Sequence, residues 1–97
     1  MTTPWSDRIP KFEDDTMLLL ETSLYLLQRY FAHDKATAED TLVEFIGNSG
    51  WDENFYHHEG PYRTAAIAHY RHYLKGDPSS WFDWLREYGH LQTPRSR

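Results

Sequence analysis

The fold is decided by residues 15–32, which read DTMLLLETSLYLLQRYFA. Apolar side chains recur there at steps of three and four residues, which is the spacing of one face of an α-helix. This apolar stripe consists of Met17, Leu20, Leu24, Leu27 and Phe31. Asp14 and Asp15 suit the start of the helix, because carboxylates interact favourably with its unpaired N–H groups. Leu18 and Tyr25 fall on the opposite face. The helix is therefore either central in its bundle, or it exposes a strip for a partner or a second copy.

The rest of the chain predicts three more helices. The periodicity seen in residues 15–32 also occurs in three other segments: 37–47, 61–75 and 80–89. Thr37 is the expected cap of the second helix, and Ser79 or Ser80 that of the fourth. Residues 51–58 fit either a short additional helix or an ordered loop. The sequence therefore predicts an all-α fold, a compact bundle of four main helices.

A chain of 97 residues predicts one domain, because two cores would each be too small to fold alone. We expect residues 1–13 to form an extended arm that Trp5 and Phe12 tether to the body. Residues 14–89 would then form the helical domain, and residues 90–97 a flexible polar tail.

Charge and composition limit the classes of function that are expected for this chain. The net charge is −5, and residues 1–59 hold 12 acids and 4 bases, whereas residues 60–97 hold 3 acids and 6 bases. An acidic chain is a poor ligand for a phosphate backbone, so nucleic-acid binding is not expected. There is no cysteine, which suits a reducing compartment. Because no apolar run approaches the ~20 residues of a membrane span, we expect a cytoplasmic protein that does not enter a membrane.

Four of the six histidines lie between Tyr56 and Tyr73. His69 and His72 are one turn apart on the third predicted helix, so both could bind one metal ion. The alternative function is thus a divalent metal site, for example for zinc, built from His57, His58, Glu59, His69 and His72. The His-Glu-x-x-His pattern of zinc proteases is missing, however, and so are the repeated Glu-x-x-His pairs of di-iron bundles. These histidines are therefore interpreted as hydrogen-bonded surface residues, and no cofactor is expected.

The sequence contains no recognisable catalytic set. Cysteine is absent, and no serine occupies a Gly-x-Ser-x-Gly turn. The preferred hypothesis is a non-catalytic protein–protein interaction module that binds a protein with a basic surface, as small acidic toxin-neutralising (immunity or antitoxin-like) or regulatory proteins do. The expected contact residues are Glu39, Asp40, Glu44, Asp52, Tyr56, His57, His58, Glu59, Tyr62 and Arg63. A homodimer formed through Leu18 and Tyr25 is a third hypothesis.

Overall fold

Four α-helices make up most of the protein. The computed structural model describes residues 4–49 and 53–88, apart from the side chains of Ser49 and Tyr88. The helices are α1 (Asp14–Tyr30), α2 (Lys35–Ser49), α3 (Glu53–Ala68) and α4 (Trp81–Tyr88). No strand occurs in either described range. The prediction of an all-α bundle of four main helices is therefore confirmed.

The core lies where α1 packs against α2 and, most extensively, against α3. Its apolar members are Leu20, Leu24, Leu27, Ala38, Leu42, Phe45, Ile46, Tyr56, Ala65 and Ala68. The small side chains of Ala65 and Ala68 leave room for α1 to lie close to α3. Ser23 of α1 is fully buried, and its hydroxyl lies within hydrogen-bond distance of two carbonyl oxygens, those of Leu19 (3.0 Å) and Pro61 (3.1 Å). The stripe read from the sequence is thus the inner face of α1.

α1 ends at Tyr30, two residues before the predicted end. Ala32 adopts a left-handed conformation with φ of 61°, which an α-helix does not accommodate. The backbone N–H of His33 then turns back and donates to the carbonyl of Leu27 at 3.2 Å. This is the usual helix-terminating arrangement, with alanine at a position that normally holds glycine.

α2 is longer than the predicted 37–47 segment at both ends. It begins at Lys35 because Asp34 supplies the cap: the Asp34 carboxylate accepts the backbone N–H of Thr37 at 2.8 Å. The predicted Thr37 cap is therefore wrong by one turn. At the other end the helix continues through Gly47 to Ser49, since glycine weakens a helix without breaking it.

α3 resolves the two alternatives for 51–58 in favour of a helix, which begins at Glu53; residues 51 and 52 lie outside the described residues. Gly60 interrupts it with φ of 84° and ψ of 169°. Pro61 then starts the second part of α3, as expected of a residue without a backbone N–H. The kink turns the chain where Ser23 of α1 contacts it.

The chain continues beyond α3 into a single π-helical turn over His69–Tyr73, which the sequence analysis missed. The backbone N–H of Leu74 donates to the carbonyl of His69, five residues back, at 2.8 Å. One extra residue in the turn rotates all later side chains about the helix axis. His69 and Tyr70, at the start of this turn, are buried, whereas Tyr73 and Leu74, at its end, are exposed. The prediction of one continuous helix over 61–75 is corrected accordingly: the α-helix ends at Ala68 and the π turn follows it.

Two short elements complete the fold. A 3₁₀ turn at Pro78–Ser80, capped by the Asp77 carboxylate, leads into α4 and replaces the predicted serine cap. The N-terminal arm also contains a 3₁₀ turn, Trp5–Arg8, so it is less extended than predicted. Trp5 and Phe12 pack against the core as expected. The predicted tail, 90–97, lies outside the described residues.

Candidate functional site

An acidic hollow lies where the N-terminal ends of α1 and α3 meet. It is an open depression of about 380 Å³ lined by Glu13, Asp15, Glu53, Asn54 and His57. Glu53 and His57 are four residues apart, so they project from the same face of α3. The backbone N–H of Glu13, just before α1, points at a carboxylate oxygen of Glu53 at 3.4 Å. Two helix starts thus bring the acids together.

Thr16 is fully buried and contacts Glu53 and His57, two of the residues that line the acidic hollow. Its hydroxyl donates to Glu53 Oε1 at 2.5 Å, and its oxygen lies 2.9 Å from His57 Nε2. A hydroxyl has only one hydrogen, so if it donates to Glu53 the imidazole N–H must donate to the threonine oxygen. Thr16 therefore fixes the positions of Glu53 and His57. Because the hydroxyl is enclosed, it cannot attack a substrate.

The acidic hollow concentrates negative charge. One oxygen each of Asp15 and Glu53 and one ring nitrogen of His57 lie within 4.8 Å of one another, the one group of three such ligands found in the described residues. Within residues 4–49 and 53–88, no lysine or arginine forms an ion pair with Glu13, Asp15 or Glu53. Such a site suits a positively charged group, either a side chain of another protein or a metal ion. The Glu-x-x-x-His spacing was visible in the sequence, but the approach of Asp15 was not.

The predicted contact acids of α2 have partners within the chain. Lys35 lies 3.1 Å from Glu39, and Arg8 lies 2.8 Å from Asp40. Glu44 is 3.6 Å from the Lys75 ammonium and 3.5 Å from an imidazole nitrogen of His72. These acids are therefore partly neutralised. Asp52, the fourth predicted contact acid, lies outside the described residues.

The predicted contact residues of α3 occupy different environments. Tyr56 is fully buried against Phe12 and Phe45, so its predicted surface position is wrong. His57 and His58 are exposed. Glu59 is half-buried in an ion pair with Arg63 at 3.4 Å, and Tyr62 is also half-buried. Among the described residues the Tyr62 hydroxyl has no hydrogen-bond partner, and its pKa is raised, chiefly by burial. Of these residues, His57 and His58 are the most exposed, and His57 is held at one ring nitrogen by Thr16.

His69 and His72 do not face one site, in contrast to the alternative metal hypothesis. His72 lies beside Glu44, whereas His69 Nδ1 is 2.8 Å from His33 Nε2. The His69 ring also stacks on Phe31 and Tyr73, with centroid distances of 4.6 and 5.2 Å. Of the five residues proposed for that site, His57 alone belongs to the close ligand group described above.

The His33–His69 pair was not foreseen, because its members lie on different elements. Burial, with a smaller contribution from the neighbouring His33, lowers the pKa of His69 from 6.5 to about 4. Burial also lowers the pKa of His33, and the nearby Asp34 carboxylate only partly opposes this. Both rings are therefore neutral at pH 7, and one donates its N–H to the other. This pair is a structural element of the core rather than an accessible site.

Comparisons with protein-family models, with curated proteins and with solved structures found no match to this chain. Among the described residues, no helix has both the length and the apolar character needed to cross a membrane. Function therefore has to be argued from the chemistry of the sites themselves.

Proposed function

We propose that the protein is a non-catalytic protein–protein interaction module whose acidic hollow receives a basic side chain of its partner. The observation that carries this proposal is the group of acids Glu13, Asp15 and Glu53, for which the described part of the chain supplies no basic partner. A lysine or arginine entering the hollow would form hydrogen bonds with ionised carboxylates, which are stronger than neutral ones.

The partner has a basic surface. The net charge of −5 attracts such a protein at long range, and the acidic hollow provides the close contact. His57 and His58, from the contact set expected on sequence grounds, lie at or beside this hollow. The acids of α2 contribute mainly to the long-range field, because their charges are already partly compensated. A neutralising role, as in immunity or antitoxin-like proteins, or a regulatory role in the cytoplasm fits this chemistry.

The experiment isolates a partner from the native host, identifies it by mass spectrometry, and measures its affinity with purified components. The variant D15N/E53Q removes two charges from the hollow and keeps the side-chain shapes. We expect it to weaken binding at least about tenfold, or about 1.4 kcal/mol. The control E39Q/D40N removes two charges that are already paired, so its effect should be smaller. Equal losses in both variants, or a partner without a basic surface, would contradict the proposal.

The second candidate function is binding of a divalent metal ion, favoured by the three potential ligand atoms within 4.8 Å of one another. The ligands would be Asp15, Glu53 and His57, a set of two carboxylates and one imidazole that zinc accepts. Metal analysis of untagged protein tests this candidate. Near-stoichiometric metal that is lost in H57Q and retained in H58Q would support it. Less than about a tenth of an equivalent, with no effect of chelator on melting, would remove it.

A further inference from the structure

The outer face of α1 is apolar at its centre and charged at its ends. Leu18 is 64% exposed and Tyr25 58% exposed, and the two side chains lie two turns apart on the same face of the helix. Asp14 precedes them by one turn and Arg29 follows them by one turn, and both are exposed. Neither charge forms an ion pair within residues 4–49 and 53–88. The face has an exposed apolar pair and two charges without an ion-pair partner in the described part of the chain; the Arg29 guanidinium lies 5.5 Å from the centroid of the Tyr30 ring.

The positions on this face are symmetric about the point between Glu21 and Thr22. Leu18 lies as far before that point as Tyr25 lies after it, and the same holds for Asp14 and Arg29. Two antiparallel copies related by a two-fold axis at this point would therefore place each residue opposite the one that lies at the same distance on the other side of the axis. Leu18 would meet the partner subunit's Tyr25, and Asp14 would meet the partner subunit's Arg29. Each contact would form twice, and each charge would gain a partner of opposite sign.

We propose that the protein forms a homodimer through an antiparallel contact between the outer faces of two α1 helices. The steps of three and four residues along this face are those by which two helices pack side by side at a small crossing angle. The face from Asp14 to Arg29 is about 22 Å long at 1.5 Å per residue. A single helix pair of this length buries less area than a standard stable interface, so the dimer dissociates on dilution.

A second copy fits this face better than an unrelated basic protein does. An all-basic partner would compensate Asp14 and Glu21 but would repel Arg29, which lies on the same face. A second copy offers a charge of the correct sign at both ends. The unfavourable element is Glu21, which approaches the axis in both copies, so the E21Q variant should associate more tightly than the parent protein.

Sedimentation equilibrium of the full chain tests the proposal over about 5 to 500 µM, the range in which an interface of this size dissociates. The parent protein should change from monomer to dimer mass with increasing concentration. L18E should remain monomeric, and circular dichroism should confirm that it is folded, because Leu18 does not contribute to the core. A monomer mass for the parent throughout, or unchanged dimerisation of L18E, would overturn the proposal.

A charge exchange distinguishes the antiparallel contact from other modes of association. D14R alone and R29D alone each place like charges opposite each other, and each should weaken the dimer at least tenfold. The double variant D14R/R29D restores two opposite-charge pairs and has the net charge of the parent, so dimerisation should recover. Failure to recover in a folded double variant would overturn the antiparallel arrangement. Position 14 lies next to Glu13 and Asp15 of the acidic hollow, so partner binding is compared between the parent and L18E, in which the charges of the hollow are the same.

Discussion

The buried His33–His69 pair makes the stability of the fold sensitive to mild acid. The pKa of His69 is lowered from 6.5 to about 4 because the ring is buried. Between these values the unfolded chain binds a proton that the folded protein does not bind. The contribution of His69 to stability is therefore fully present above pH 6.5 and is lost progressively as the pH falls towards 4.

The expected effect is large for a domain of this size. From the two pKa values, His69 alone lowers the free energy of unfolding by about 2 kcal/mol between pH 7 and pH 5. This corresponds to a decrease in Tm of about 10 °C. His33 acts in the same direction, because burial lowers its pKa too. The carboxyl groups of Asp34 and Asp77 also have lowered pKa values, but these start from 3.8 and so fall below this pH range.

The assay is urea unfolding from pH 7 to pH 5 at one low protein concentration, so that association does not contribute. The variant H69F keeps a ring between Phe31 and Tyr73 but cannot bind a proton. It should be less stable at pH 7, because His33 loses its hydrogen-bond partner, and should lose about 2 kcal/mol less than the parent on acidification. H58Q is the matched control, since His58 is 85% exposed in its side chain. If H69F and the parent lose equal stability between pH 7 and pH 5, the reasoning is refuted.

Three further predictions concern the backbone and the core, and thermal unfolding checks each. Because Ala32 has φ of 61°, A32G should stabilise the fold by about 0.5–1 kcal/mol, and a loss of stability would contradict the assignment of a strained turn. A Cβ atom at Gly76 would lie 2.3 Å from the Tyr70 ring, so G76A should cost about 1–3 kcal/mol, whereas G47A, with nothing within 4 Å, should be neutral or stabilising. The buried Tyr62 hydroxyl has no partner in the described part of the chain, so Y62F should gain up to about 1 kcal/mol, while Y70F should lose a similar amount because the Tyr70 hydroxyl donates to the Asp77 carbonyl.

The helices were predictable because the residues that determine each helix lie close together in the sequence. The stripe on residues 15–32 and the break at Gly60–Pro61 depend on residues within one or two turns, and both are confirmed. The features that were not predicted depend on interactions other than the apolar periodicity of the sequence. Asp34 accepts the backbone N–H of Thr37 itself and so caps α2 from outside the predicted segment. The π turn after Ala68 is not visible in a periodicity that assumes a constant rotation per residue.

The site was less predictable than the fold, because it depends on contacts between distant parts of the chain. The acidic hollow joins Asp15 to Glu53 and His57, which no spacing rule connects. The predicted acids of α2 were correctly placed outside the core, but the sequence could not show that Lys35 and Arg8 lie beside Glu39 and Asp40. Tyr56 was assigned to the surface because of its polar neighbours, whereas packing by Phe12 and Phe45 encloses it.

The two proposed surfaces are neighbours at the N-terminal end of α1, because Asp14 and Asp15 both lie one turn before Leu18. Asp15 lines the hollow beside Glu53 and His57, and Asp14 is the acid that would face a second copy. Pairing of Asp14 with the partner subunit's Arg29 would leave the charges of Glu13, Asp15 and Glu53 uncompensated. In an antiparallel dimer the two N-terminal ends of α1 lie at opposite ends of the contact, about 22 Å apart. The dimer would therefore display two separate acidic hollows, and a partner with two basic sites at that distance would bind more tightly than either site alone allows.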